Sequence, residues 1–243
     1  MTYHNRHECK FVVPEPVAAR LLKQVAPFLQ PDPFAATSTD HAYPIASLYL
    51  DDANDTLYRE TLEGRAYRYK LRVRSYTDDP TAPVFLEVKR RHDRVVQKLR
   101  CPIPRTSLAS VLTGKVASLP GLSPLKRQSF QEFMRLVQFC RAVPRCTVLY
   151  DRQAYIGRHE DEVRVTFDRR LYAMEEREPI VRVRDGRYAP VRSGGVVLEL
   201  KFTDRCPPWM LDAVRACELR RSSFSKYCIA IDALVDARRV QAN

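Results

Sequence analysis

Glycine is scarce in this chain, with 7 residues in 243, and none of them forms a Gly-rich phosphate loop of the Walker type. Any phosphate ligand must therefore be held by side chains and not by a cradle of backbone amides. No run approaches the roughly 18 consecutive apolar residues of a membrane span, and Met1-Thr2-Tyr3-His4-Asn5-Arg6 lacks the charged-then-apolar order of a secretion signal. The expectation is a soluble, cytoplasmic protein with no membrane segment of its own. No C-x-x-C pair occurs among the seven cysteines, and an odd number without a secretion signal does not suggest a disulfide framework, so they read as reduced, mostly buried thiols. His4 and His7 are three apart, but no second ligand pair accompanies them, which argues against a zinc site.

Positive charge, by contrast, is plentiful. Lys and Arg number 41 against 29 Asp and Glu, a formal net charge of +12, and arginine outnumbers lysine by 32 to 9. Arginine suits bidentate contacts to phosphate. Such an excess asks for an anionic partner: nucleic acid, an acidic membrane or phosphate-rich small molecules. At 45% hydrophobic residues the chain has material for a substantial core, which excludes wholesale disorder, and residues 1–243 read as a single domain.

Periodicity places the elements. Glu8 to Val13 reads as a strand ending at Pro14, followed by a short amphipathic helix over 16–25 in which Val17, Leu21 and Val25 recur at helical spacing. A loop over 31–44 precedes a strand over 45–52 with a turn or helix start behind it. The span 107–143 is helical, broken at Pro120-Gly121, and strand character returns over 146–155, 163–168 and 196–202. Pro207-Pro208-Trp209 opens another helix, and 223–228 leads into a last amphipathic segment.

The most informative segment is Tyr67 to Tyr76. As a strand it puts Arg68, Lys70, Arg72 and Arg74 on one face and Tyr67, Tyr69, Leu71 and Val73 on the other. Taken alone, such alternation is what any strand with one solvated face shows. Four like charges at two-residue spacing nevertheless repel unless water, carboxylates or a bound anion intervene. Strands over 84–91 and 94–101 form a hairpin turning near Asp93, with Glu87 and Lys89 sharing one face and Lys98 and Arg100 another. On 163–168, Arg164, Thr166 and Asp168 share a face.

The pattern Glu-x-Lys recurs in three strands, at Glu8/Lys10, Glu87/Lys89 and Glu199/Lys201, each with a strongly apolar opposite face. That suggests one closed sheet whose apolar faces lie outward under helices and whose charged faces line a wet, cationic lumen. The fold class expected is α+β, an antiparallel β-barrel tunnel with helices packed on the outside.

A family resemblance rests on Arg-x-Glu-x-Lys at Arg6 to Lys10, Ser47-Leu48-Tyr49-Leu50-Asp51, Arg68 to Arg74, Phe85 to Lys89, Tyr150-Asp151-Arg152, Leu198 to Phe202 and Ser225-Lys226-Tyr227. In this order, over about residues 6–232, the chain resembles the vacuolar transporter chaperone (VTC) domain, and through it the CYTH-like triphosphate tunnel metalloenzymes. The resemblance implies a tunnel that binds ATP by its phosphates and passes the γ-phosphate to a growing polyphosphate chain, with Mn²⁺ or Mg²⁺ as cofactor. It implies that Lys10, Arg72, Arg74, Lys89, Lys98, Arg152, Arg164 and Lys226 bind phosphate, that Tyr150 is their polar neighbour, and that Glu199 holds the metal. Lys201 joins the phosphate-binding set, Glu8 and Glu87 are further metal candidates, and Lys10, Arg72, Arg74, Glu199 and Lys226 make up the catalytic set. Arg6 stands where the tunnel hydrolases carry the first glutamate of Glu-x-Glu-x-Lys, which is closer to the VTC branch and removes one metal ligand. Partners are ATP and polyphosphate or pyrophosphate, and export of a product through a membrane would need another protein.

Polymerase and hydrolase differ in nucleophile. A phosphate terminus is already anionic, whereas water requires orientation and usually a base. Glu8 and Glu87 read as the only inward carboxylates besides Glu199, and each has a lysine two residues away, so transfer to phosphate is favoured over an inorganic or nucleoside triphosphatase. A non-catalytic polyphosphate or nucleotide sensor is the alternative of another class. Nucleic acid is not expected, since the basic residues alternate within strands and no aromatic-rich stacking motif accompanies them. Arg90-Arg91, Arg169-Arg170 and Arg220-Arg221 read as solvated pairs of which one member faces outward on a strand. Trp209, Tyr67 and Tyr69 read as packing residues.

Overall fold

The structure, a computed structural model, describes residues 6–36, 38–92, 95–159 and 162–241. His4, Asp93, Arg94 and the side chain of Arg6 lie outside the described residues. The chain runs β1 (Arg6–Val13), α1 (Glu15–Val25), β2 (Leu29–Pro31), β3 (Ala42–Asp51), α2 (Thr56–Leu62), β4 (Tyr67–Ser75), β5 (Val84–His92) and β6 (Val95–Ile103). It continues with α3 (Leu108–Leu112), α4 (Pro124–Phe139), β7 (Val143–Gly157), β8 (Arg164–Glu175), β9 (Ala189–Pro190), β10 (Val196–Thr203), α5 (Pro208–Ala216) and α6 (Lys226–Gln241).

The strands form an antiparallel ladder in the order β1-β10-β8-β7-β3-β4-β5-β6, with β2 on β7 and β9 on β8. The α+β class and the antiparallel sheet are as expected, but the closed sheet is corrected: among the described residues no pairing joins β1 to β6 at the two ends of the order. The chain divides into two compact units built from interleaved segments, one of residues 1–44, 150–171 and 192–224 and the other of 45–149, 172–191 and 225–243. β7 and β8 each contribute residues to both.

In the first unit, Cys9, Phe11 and Val13 of β1 and Leu198, Leu200 and Phe202 of β10 pack beneath Ala18, Leu21 and Val25 of α1 and Met210 and Ala213 of α5. Pro16 at the start of α1 lacks the N–H that a first turn leaves unpaired anyway, and Glu15 complements the helix dipole there. Trp209 packs on this core and stacks on Phe28 with centroids 5.0 Å apart, as a packing residue should. Gly195 has φ 148°, and a Cβ there would meet the Val13 carbonyl oxygen at 2.4 Å, so only glycine lets β10 start against the end of β1.

In the second unit, Leu71 and Val73 of β4, Leu86 and Val88 of β5 and Leu48 and Leu50 of β3 pack against Phe130, Phe133 and Val137 of α4. The apolar strand faces are thus the helix-covered ones in both units. The helical break is wider than Pro120-Gly121, because α3 ends at Leu112 and α4 begins only at Pro124, with Gly114 and Gly121 between them at positive φ. Tyr69 packs on the core, but Tyr67 corrects the expectation: it is 71% exposed and meets only the rim, against His92 at 4.2 Å. All seven cysteines are free, and five are buried. No helix among the described residues is long and apolar enough to cross a membrane.

Candidate functional site

The charged face of the first unit begins with two Glu-x-Lys pairs laid antiparallel. Register sets Glu8 opposite Lys201 and Lys10 opposite Glu199, so each carboxylate faces an amine. The four make a closed lattice: Lys10 Nζ lies 3.4 Å from Glu8 and 3.7 Å from Glu199, and Lys201 Nζ lies 2.8 Å from Glu199 and 3.8 Å from Glu8. Lys10 also donates to the carbonyl oxygen of Phe224 at 3.1 Å. Beside them Arg152, buried on β7, donates Nε and Nη2 to the fully buried Asp168 at 2.6 and 2.7 Å. Burial alone would lower the Arg152 pKa, but Asp168 and then Tyr150 and Glu199 outweigh it and hold the guanidinium charged. Its plane stands over the ring of Tyr150 at 5.4 Å, and Nη2 lies 3.9 Å from Glu199. Arg164 donates to the buried Asp32 at 2.7 Å, and its Nε is buried with no hydrogen-bond partner among the described residues.

The second unit uses the same tripeptide differently. Glu87 is fully buried on β5, set between Arg72 of β4 and Arg100 of β6 by register. Four cations converge on its carboxylate: Arg72 at 2.7 Å, Lys98 at 2.8 Å, Arg100 at 3.5 Å and Arg74 at 3.7 Å. Burial would raise its pKa, but the Arg72, Arg74 and Lys98 charges win and keep it ionised far below the ordinary carboxylate range. Burial of the Lys98 ammonium lowers its pKa, Glu87 partly offsets this, and Arg72 and Arg74 lower it again. With 43% of the side chain open, solvent screens that shift. Lys89 stands directly opposite Lys70 on one side and Lys98 on the other, a row of three amines.

Ser225-Lys226-Tyr227 opens α6 and is tied down on both sides of Lys226. Lys70 donates to Ser225 Oγ at 2.7 Å, and the Tyr227 hydroxyl donates to Asp51 at 2.6 Å. Tyr227 stacks on Tyr49, centroids 4.8 Å apart, and the Tyr49 hydroxyl accepts from Arg72 at 3.2 Å. Asp51 also accepts from the amides of Leu57 and Tyr58, so the carboxylate that holds α6 starts α2. Burial raises its pKa, and these bonds oppose the rise.

Lys10, Tyr150, Arg152, Arg164, Glu199, Lys201 and Glu8 are therefore together in the first unit, and Arg72, Arg74, Glu87, Lys89, Lys98 and Lys226 belong to the second. The reading of only three inward carboxylates is corrected by Asp168, which the parity of its own strand already put on the charged face. Asp32 carried no comparable signal, since its ion pair is with Arg164, 132 residues away, and the resemblance quoted Asp51 without its bond to Tyr227, 176 residues on.

Compared with known families, residues 5–235 match the VTC domain. The chain belongs to the VTC domain family. No curated protein matches it. Among solved structures, this VTC domain is similar to the crystal structure of a putative adenylate cyclase from Bacillus halodurans, at 10% identity and a TM-score of 0.50 over 91% of this chain and 95% of that one. At that identity the likeness speaks for the fold, which the two share.

A divalent metal can be tested against the donor set. Among the described residues no group of three or more His, Cys, Asp or Glu gathers as an all-protein cage. Mg²⁺-type ions characteristically take one or two carboxylates and complete their shell with water and substrate phosphates; Glu199 with Glu8 supplies that number, and a metal there would displace Lys10 and Lys201 from them. Glu87 does not fit one, because a cation would approach against four positive charges.

Proposed function

We propose that this VTC domain is a polyphosphate polymerase, transferring the γ-phosphate of ATP to the end of a polyphosphate or pyrophosphate chain. The observation that carries the reading is how the carboxylates are held. Glu87 is ringed by four cations, Asp168 is committed to Arg152, and Glu8 and Glu199 are each shared between Lys10 and Lys201. Such carboxylates are poor bases, and a water nucleophile needs a base, whereas a phosphate oxygen is already anionic.

In the second unit Arg72, Arg74, Lys98 and Lys226 neutralise and orient phosphate oxygens, while Glu87 keeps the cations around it close-packed; in the first unit Lys10 does the same. A terminal phosphate oxygen of the acceptor bonds to the γ-phosphorus, the bond from that phosphorus to the β,γ-bridging oxygen breaks, and ADP leaves with the electron pair. Mg²⁺ or Mn²⁺, when bound, would draw charge from the phosphate oxygens, with Glu199 and Glu8 as its protein ligands.

A ³¹P NMR time course with ATP, Mn²⁺ and a short polyphosphate primer tests this. Internal phosphate resonances are the expected result. Orthophosphate alone would establish a hydrolase, and no turnover with retained phosphate binding would establish a sensor; either overturns the polymerase.

A further inference from the structure

The end of the β4–β5–β6 ribbon carries apolar side chains that no helix covers. Register aligns Tyr67 of β4 with His92 of β5 and Val95 of β6, on the face that α4 packs against farther along. Helix cover reaches the neighbouring row, where Glu132 of α4 meets Arg90, but the end row lies open, with Tyr67 71% and Val95 65% exposed. On the other face of the same end stand Arg68, Arg91 and Val96, and Val96 is exposed as well. The ribbon end is thus open on both faces. Leu62, also exposed, ends α2 shortly before Tyr67, and the turn after it is tied to this end because Arg68 donates to the carbonyl oxygen of Arg65. A single exposed valine needs no explanation, whereas a cluster of exposed apolar side chains marks a surface that meets something.

Charge decides what that is. Residues 63–70, 89–92 and 95–98 hold seven Lys and Arg against one Glu, a net +6, which is half the formal charge of the whole chain. Glu60, Glu132 and Glu87, from outside these stretches, offset charge at Arg65, Arg90 and Lys98. The field felt by a large anionic surface follows the sum of these charges, whether or not any one cation has a hydrogen-bond partner on the protein. We propose that this ribbon end is a docking surface for a bilayer of anionic lipids, into which Tyr67, Val95 and Val96 insert while Arg68 and Arg91 meet the headgroups. Such an interface takes both halves of the pattern: aliphatic groups reach the acyl boundary, a tyrosine ring sits at headgroup depth, and arginines keep their guanidinium groups in the polar layer. A soluble polyanion would have no use for the apolar half. The docking stands independently of the polymerase reading.

Co-sedimentation of the full chain with vesicles tests it, using phosphatidylcholine alone and an equal mixture of phosphatidylcholine and phosphatidylglycerol. The wild type should bind the mixture, bind phosphatidylcholine weakly, and come off the mixture as salt rises. Y67S/V95S and R68Q/R91Q should each lower partitioning into the mixture by about tenfold. The control L125S/V240S removes equally exposed apolar groups from α4 and α6 and should bind as the wild type does. Val96→Ser, on the other face of the ribbon, is a second variant that should weaken binding in the same direction even if Y67S/V95S folds poorly. No binding by the wild type, or an equal loss in the control, would overturn the docking. So would full binding by Y67S/V95S and Val96→Ser alongside weak binding by R68Q/R91Q, since that marks a charge attraction open to any polyanion or acidic protein.

Discussion

Glu87 has more cations around it than it can neutralise, and its removal is the most informative single substitution. Glu87→Gln removes the carboxylate shared by Arg72, Arg74, Lys98 and Arg100, and breaking a buried ion pair from one side typically costs roughly 3–5 kcal/mol. Denaturant unfolding at neutral pH should show a loss of that order, partly restored by tripolyphosphate. Since the native Glu87 carboxyl is held below its ordinary value, its stabilisation is complete above about pH 4.3, the unfolded value, and fades as pH falls further. The gap between wild type and variant should accordingly narrow in acid. Lys98 works in the opposite sense. Its amine is easier to deprotonate than usual, and a bound anion favours the charged form, so tripolyphosphate binding at mildly alkaline pH should take up protons. Calorimetry in buffers of differing ionisation enthalpy reads that uptake; its persistence in Lys98→Met would assign the proton elsewhere.

At the scale of elements, the start of α6 depends on β3. Tyr227→Phe removes one donor to Asp51 and keeps the ring on Tyr49, so the expected loss is about 1.5–3 kcal/mol, the range for a hydrogen bond to a charged group. Hydrogen exchange at the first turn of α6 and of α2 should quicken together, because one carboxylate serves both; protection lost in α6 alone would contradict the shared anchor. The sequence shows how much of this was readable. Alternation identified the charged faces of β1, β4, β5, β8 and β10, because a two-residue period is a local property. It could not say that the Glu-x-Lys of β1 and β10 would face each other head to tail while the lysine of the β5 pair would meet two further amines, Lys70 and Lys98. Those outcomes are set by register between distant segments. Asp32 was silent for the same reason, and β8 runs on past Asp168 because β9 pairs with Tyr172 and Ala173.

For the molecule as a whole, the formal charge of +12 sets a mutual repulsion that anions relieve. Tripolyphosphate affinity should fall as salt rises and the Debye length shrinks from about 10 Å at 0.1 M toward 3 Å at 1 M, and affinity flat across that range would indicate a site not governed by these cations. Glu199→Gln separates turnover from binding: polymer synthesis should vanish while phosphate affinity holds or rises, since a carboxylate is removed from among Lys10, Lys201 and Arg152. The interleaving of the two units bears on how the chain can be made. The first unit cannot be assembled before residues 192–224 exist, nor the second before 225–243. The core of the first unit therefore waits for β10 and α5, whereas that of the second is complete with residues 46–183, and no single cut, at any position, would yield either unit as a contiguous fragment.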